Sequence, residues 1–548
     1  MNYEKLADIL FQNIDKTPEY WEEKYPQRDL PKGARVTRLA PSPTGFIHLG
    51  NLYGAIADER IAHQSGGVFY LRIEDTDKKR EVADGVRLII ETLEYFGISF
   101  DEGALTDGEQ GDFGPYRQRQ REEIYQTFVK KLVKEGRAYP CFCTEEELAS
   151  MHERQESEKK NFGYYGEFAI WRDAPIEKIE ENLQKNIPYV IRFKSNGSLE
   201  KRIEVNDLVR GSVNMPQNNQ DIVILKSDGI PTYHFAHAVD DHLMRTTLVI
   251  RGEEWLATLP VHTELFEALG FAPIQYAHTA HLMKMDGESK RKLSKRKDPE
   301  LSLDYYRKEG YLPMAVIKYL MTVLNSNFEE FCAKNPDKSI YDFPFSAEKM
   351  SISGALFDID KLNDVSKEML CLMSGDEIYT GLSEWAKEFD PEFYSILTED
   401  KQFSVNALSV GKGGNKPRKD LMYWRQAKDF LSFYYDSMFK VEDELPENIN
   451  SDEAKIIINA YLDTYDHSDE QSVWFEKIRK IAEDNDYAAQ MKEYKKNPEN
   501  YKGHIGDVSG VLRLAITGRL NSPDFHQISQ ILGKERAIKR LCDFAEKM

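Results

Sequence analysis

VTRLAPSPTGFIHLGNLYGAIADERIAHQSGGVFYLRIEDTD, residues 36–77, decides the fold class. Val36–Leu39 is a short apolar strand that runs into a Pro/Gly-rich turn through Gly45. A helix follows from about Gly50 to Ser65, with Leu52, Ile56 and Ile61 on or near one face, and Gly66-Gly67 ends it. Val68–Ile73 is a second strand, and a second helix is expected around Asp84–Phe96. Strand–helix–strand–helix implies a parallel sheet with right-handed crossovers.

Outward from this stretch, residues 118–137 read as a helix ending at Gly136. From about Pro140 the pattern changes to a Glu- and Lys-rich helical stretch, followed by strand-like runs at Tyr189–Phe193 and Asp221–Leu225. This is the pattern of a domain inserted in the sheet. The α/β pattern resumes near Pro231, with a strand expected at Thr247–Ile250. From about Leu303 the chain turns helical and stays so, interrupted by a basic, Gly-containing loop at Gly411–Lys419 and closing with two or more helices in Lys502–Met548.

A chain of 548 residues is too long for one hydrophobic core. Its 41% apolar and 30% charged residues are a globular composition, and no apolar run approaches bilayer-spanning length. Five cysteines, Cys141, Cys143, Cys332, Cys371 and Cys542, form no regular framework, which suggests reduced thiols and a cytoplasmic protein. The first thirty residues lack a signal-peptide h-region and are expected to form a short helical packing extension, with Thr17 capping a helix that starts at Pro18. A net charge of −20 taken alone argues against a nucleic-acid partner, but binding depends on local patches. Three basic ones stand out, at Lys284–Lys297, Lys412–Lys428 and Lys534–Arg540, each equally readable as a solvated face.

Two motifs carry chemistry. RLAPSPTGFIHLGN, Arg38–Asn51, lies between a strand and a helix, where an open parallel sheet binds ligands. The helix N-terminus offers free N–H groups to phosphate, Gly45 and Gly50 permit close backbone approach to a nucleotide, and His48 can donate to phosphate oxygens. KLSKR, Lys292–Arg296, is dense in positive charge and suits stabilisation of charge that develops only in a transition state.

Together the two motifs resemble the first and second ATP-binding signatures of class I aminoacyl-tRNA synthetases, and PSPTG is similar to the bacterial-type glutamyl form. The family consensus has Met and Ser where this chain has Leu293 and Arg296; both changes are familiar from glutamyl enzymes. The resemblance covers residues 35–340 strongly. It covers the last fifty well, through LRLAITGRLNSPDFHQISQILGKERAIKRL at Leu512–Leu541, and the middle of the helical half weakly.

The resemblance implies a Rossmann-like parallel-sheet catalytic domain with an inserted α+β domain, followed by a helical anticodon-binding region. The expected division is an extension at 1–34, the catalytic halves at 35–139 and 229–302, a tRNA acceptor-end insertion at 140–228, a stem-contact region at 303–345 and an anticodon-binding region at 346–548. It implies ATP, Mg²⁺, L-glutamate and tRNA(Glu) as partners in a monomer, with ATP held by His48, Gly50, Asn51, Glu254, Lys292, Ser294 and Lys295. His48, Lys292 and above all Lys295 face the developing phosphate charge; Trp255 borders the nucleotide less securely.

For glutamate the resemblance points to Arg38, Ser42, Glu74, Tyr233 and Arg251. Two arginines suit two carboxylates, in either order, and Glu74 suits the ammonium. Some relatives carry Asn where this chain has His237, so a substrate contact there is not expected. Some glutamyl enzymes bind zinc near a Cys-x-Cys, but Cys141-Phe142-Cys143 is followed by no further Cys until Cys332, with His152 the only nearby soft ligand, so it reads as two ordinary thiols. Arg418 and Arg425, beside Tyr423 and Trp424, fit tRNA contact and equally fit the start of a packed amphipathic helix.

Glutaminyl-tRNA synthetase is the first alternative. PSPTG and the second arginine argue against it. A short base-modifying paralogue would lack the helical half, and a degenerate RNA-binding relative would have lost His48 or Lys295. Charging of tRNA(Gln) as well as tRNA(Glu) stays open.

Overall fold

A computed structural model of the chain describes residues 2–43, 47–77, 82–413 and 416–548. Gly45 therefore lies outside the described residues, as do Thr44 and Phe46 of the first motif and Gly414 and Asn415 of the basic loop. The described chain divides into two compact units, residues 1–305 with 316–358, and residues 306–315 with 359–548.

The first unit is built on a parallel sheet. Its strands are β1 (Val36–Leu39), β2 (Val68–Leu71), β3 (Glu102–Ala104), β4 (Arg202–Asp207), β5 (Gly211–Pro216), β6 (Leu248–Gly252) and β7 (Gln275–Thr279). β1 pairs with β2 in parallel, Val36 opposite Val68, and β2 pairs with β3. β6 pairs in parallel with β7, Leu248 opposite Gln275, and β7 continues onto β4. The two pieces join along β1 and β6, where the Thr247 N–H donates to Val36 O at 3.0 Å and the Val36 N–H to Thr247 Oγ1 at 2.8 Å. The spatial order is thus β3-β2-β1-β6-β7-β4. The chain winds outward from β1 and later outward from β6, so their carboxyl ends flank a switch point where ligands bind.

Local sequence explains these elements. All four residues of β1 are buried, as expected for a strand covered on both faces. Helix α1 (Leu49–Gln64) buries Leu52 and Ile56, but also Asp58, Glu59 and Arg60. It is a central helix surrounded on several sides, so Ile61 is only partly buried and no single stripe covers the core face. Gly67 closes the turn into β2: a side chain there would meet Arg35 O at 1.9 Å.

The segment 140–228 feeds two sheets. Ala138–Cys141, Val190–Phe193 and Val223–Leu225 make a small antiparallel sheet, whereas the hairpin β4–β5 extends the parallel sheet through Tyr276 and Asp207. The N-terminal helices, Tyr3–Leu10 and Pro18–Lys24, pack on this unit. Trp21 Nε1 donates to Thr127 Oγ1 at 3.1 Å, and Arg28 holds Glu102 through both terminal nitrogens at 2.6 and 3.0 Å. Thr17 occupies the N-cap position of the second helix, without a side-chain cap bond to it.

The second unit is helical. Its core gathers Leu382, Trp385, Trp424, Ile458, Ile478, Val511, Ile528 and Leu541. The segment expected to close with two or more helices holds three, Ile505–Thr517, Phe525–Leu532 and Lys534–Lys547.

Candidate active site

A cavity of about 440 Å³ opens at the switch point, lined by the ends of β1 and β6, the start of α1 and the KLSKR segment. His48, Gly50, Asn51, Glu254, Lys292 and Lys295 line it, together with Arg38, Glu74, Tyr233 and Arg251. Residues more than 250 positions apart thus share one hollow. Ser42 is exposed and lies outside this lining, as does Ser294.

One part of the cavity is built for anionic groups. His48 is the N-cap of α1, and its N–H donates to Asn51 Oδ1 at 3.1 Å. Gly50 is required beside it, because a Cβ there would crowd His48 Nδ1 at 3.1 Å. That buried nitrogen has no hydrogen-bond partner among the described residues. Burial, with Lys295 and Lys292 nearby, lowers the His48 pKa, which keeps the ring neutral until a ligand brings negative charge.

KLSKR follows a hairpin, β8 (Leu282–Asp286) and β9 (Ser289–Lys292), so Lys292 ends a strand rather than lying in a loop. Asp298 anchors the turn beyond it. Its carboxylate accepts from Arg291 at 2.5 and 2.8 Å and from the Ser294 N–H at 2.8 Å, and Arg291 holds its pKa well below the carboxylate range. Lys284 pairs with Glu300. The basic patch at 284–297 is thus partly neutralised from within. Lys292 Nζ stands 3.4 Å from His281 Nε2, and His281 Nδ1 stands 3.5 Å from Glu254.

The other part is a buried charge network. Arg38 Nε approaches both oxygens of Asp241 at 3.3 Å. Arg72 Nη1 reaches Asp241 at 2.6 Å, and its Nη2 reaches Glu74 at 3.4 Å. These cations hold Asp241 well below its ordinary pKa despite complete burial. Burial outweighs the same arginines at Glu74 and pushes its carboxyl up to about 7. Asp240 takes the remaining cation, Arg121, at 2.7 Å. Asp241 and Asp240 sit in helix α2 (Tyr233–Leu243), within the string that also supplies Tyr233, whose ring lies 4.4 Å from that of Trp255.

Arg251 enters at the end of β6. Its Nε donates to His278 Nε2 at 2.9 Å, and its Nη1 stands 3.2 Å from His262 Nδ1. Its Nη2 stands 3.4 Å from both the Trp255 carbonyl oxygen and Thr258 Oγ1, long contacts that a carboxylate could replace. His237 is fully buried, with Nε2 3.0 Å from the Tyr276 hydroxyl and Nδ1 2.6 Å from Asp241. It does not line the cavity.

Several site residues were not singled out from sequence. Asp241 lies only eight residues after Tyr233, yet a pair of acids in a helix gives no sign of which residue faces an arginine. Asp207, His262 and His278 carry no motif; only the sheet register brings His278 opposite Arg251.

In the helical unit, Arg418 pairs with Asp420 at 2.9 Å and Arg425, 66% exposed, pairs with Glu309 at 2.7 Å. Trp424 is 5% exposed and belongs to the core, so its ring is not offered to a base. Cys141 and Cys143 both place Sγ 3.5 Å from the Tyr164 hydroxyl.

A family model described as class I tRNA synthetases (E and Q), catalytic domain, matches residues 35–364, and one described as anticodon binding domain matches residues 427–545. The chain is 57% identical to a glutamate–tRNA ligase of Acetivibrio thermocellus, with 99% of each chain covered. It is 49% identical to one of Clostridium perfringens strain 13, covering 99% of this chain and all of the relative. Among solved structures, a glutamate tRNA ligase of Elizabethkingia meningosepticum in complex with its amino acid superposes with a TM-score of 0.74, at 29% identity, covering 93% of this chain and 99% of that one.

Proposed function

The chain belongs to the class I tRNA synthetase family of the E and Q type, and on that premise we propose that it ligates L-glutamate to the 3′ end of tRNA(Glu) for protein synthesis, at the expense of ATP. The observation that carries this is full-length similarity to glutamate–tRNA ligases in a chain where ten of the expected ATP and glutamate residues line one hollow.

The reaction has two steps. A carboxylate oxygen of glutamate attacks the α-phosphorus of ATP, pyrophosphate leaves, and glutamyl-adenylate forms. A ribose hydroxyl of the tRNA 3′ terminus then attacks the acyl carbon, and AMP leaves. No protein nucleophile is needed, so catalysis is placement and charge stabilisation. Lys292, Lys295 and the partnerless nitrogen of His48 receive the phosphate charge. Gly50 and Asn51 shape the nucleotide floor, Glu254 borders it, and Ser294 holds the KLSKR turn through Asp298. Arg38 and Arg251 take the two carboxylates, Glu74 takes the ammonium and Tyr233 closes the pocket between them. Ser42 stays a candidate for glutamate contact beside Pro41, which lines the cavity.

Mg²⁺ would come with the ATP phosphates and offset their charge. Among the described residues no helix is long and apolar enough to cross a membrane. A cytoplasmic location is proposed from the kinship with translation enzymes. Arg418 and Arg425 remain candidates for tRNA contact once their carboxylate partners exchange for phosphate.

The test is tRNA charging with labelled glutamate and glutamine on purified tRNA(Glu) and tRNA(Gln). Glutamate on tRNA(Glu) is the expected product, and glutamate on tRNA(Gln) would add a second acceptor. Charging of glutamine without glutamate would overturn the proposal.

A further inference from the structure

Arg251 is held from behind by an assembly that the chemistry of charging does not itself require. Arg251 and His278 sit opposite each other on β6 and β7. Arg251 Nε donates to His278 Nε2 at 2.9 Å, so that nitrogen must carry a lone pair. The ring proton is then on Nδ1, which stands 2.6 Å from Asp207 Oδ2. Asp207 is itself fixed: it accepts the backbone N–H of His278 at 3.1 Å, and the N–H groups of Val209 and Arg210 at 3.0 and 2.9 Å. Asp207 and His278 are 1% and 0% exposed. Burying the Asp207 carboxylate against a neutral imidazole costs desolvation free energy and is not needed to fill space.

We propose that Asp207 and His278 are positioning residues for substrate recognition: the carboxylate locks the imidazole tautomer, and the imidazole locks the Arg251 guanidinium with its terminal edge toward the cavity. His262 flanks the same guanidinium from helix Leu259–Leu269, with Nδ1 3.2 Å from Arg251 Nη1 and Nε2 3.0 Å from His234 Nδ1. The arginine thus points one way, as a carboxylate fork requires. Asp207 ends β4, and Arg210 in the same turn pairs with Glu253, two residues after Arg251. The β4–β5 hairpin, part of the inserted segment, therefore reaches Arg251 only through its neighbours, His278 on β7 and Glu253 two residues further along the chain. An orienting partner one shell out typically changes affinity ten- to a hundred-fold.

This rests on Arg251 holding a glutamate carboxylate. The experiment measures charging of tRNA(Glu) with glutamate, ATP and tRNA varied in turn. His278→Phe, which removes the acceptor, is expected to raise KM for glutamate about tenfold or more, with kcat at saturating glutamate and KM for ATP within about threefold of wild type. His278→Gln, whose amide offers both an acceptor and a donor, is expected to recover most of the loss. An unchanged glutamate KM in His278→Phe, or equal losses for glutamate and ATP that His278→Gln does not restore, would overturn the inference. Should His278→Phe fail to fold, histidine-selective ¹⁵N labelling of the wild type, assigned with His278→Gln, reads the tautomer directly. A proton on Nδ1 supports the inference, and a proton on Nε2 overturns it. A wild-type chain that charges no glutamate would instead overturn the functional proposal, and this inference with it.

Discussion

Arg38 and Asp241 form a buried pair in which the Nε of the arginine is equidistant, at 3.3 Å, from the two carboxylate oxygens. Arg72 completes the arrangement from the other side. Asp241→Asn removes a charge that faces two buried cations. Its expected cost is about 3 kcal/mol of unfolding free energy, and a glutamate KM raised well beyond that for ATP. Denaturant titration and steady-state kinetics check both, and an Asn variant with wild-type stability would refute the role given to the pair.

Glu74 is poised to titrate where the enzyme works. Its carboxyl is pushed up to about 7, chiefly by burial. Only the ionised form pairs with the substrate ammonium, so falling pH removes the partner. KM for glutamate should rise as pH drops below about 7, approaching tenfold per pH unit for a single proton. Glu74→Gln should have a high KM that no longer varies in this way, and the same pH dependence in the variant would assign the titration elsewhere.

Lys295 faces phosphate charge that grows on the way to the transition state. Lys295→Ala should slow glutamyl-adenylate formation on the order of a hundredfold, while tRNA binding and thermal unfolding stay near wild type. Pyrophosphate exchange in the presence of tRNA measures the first, and filter binding the second. Parallel losses in both would indicate a folding defect.

His237 makes stability depend on pH in a definite direction. Burial drives its pKa down to about 4, against an ordinary value of about 6.5. Between those values the unfolded chain binds a proton that the folded chain refuses, so wild type loses stability as pH falls. Relative to His237→Asn, the loss should approach 1.4 kcal/mol per pH unit in that window. Urea unfolding of both proteins from pH 6.5 to 4.5 would show it; a constant difference would not fit a neutral buried ring.

Much of the fold could be read from local pattern. Val36–Leu39 matched the strand residue for residue because four buried positions in a row leave a clear signal. The helix after it was legible from Gly66-Gly67 and its N-terminal motif, although its burial on several faces blurred the stripe. The hairpin β4–β5 was not foreseen as part of the parallel sheet, since a one-residue register contact between Asp207 and Tyr276 leaves no periodic trace. Likewise, the family resemblance pointed to Arg38, Glu74 and Arg251, whereas the groups that aim them, Asp241 and His278, depend on contacts across 203 and 27 residues of chain.

The seam between Val36 and Thr247 also orders events during synthesis. Until residue 247 has been made, β1 has one paired edge and one open edge, with Leu39 and Val36 beside unsatisfied backbone groups. Roughly two hundred residues must emerge before that edge is covered, and an open apolar edge invites pairing with other chains. A chain ended before Thr247 would keep that edge open and would lack Arg251, Lys292 and Lys295 from the cavity lining, so the sheet and the pocket are completed by the same late segment.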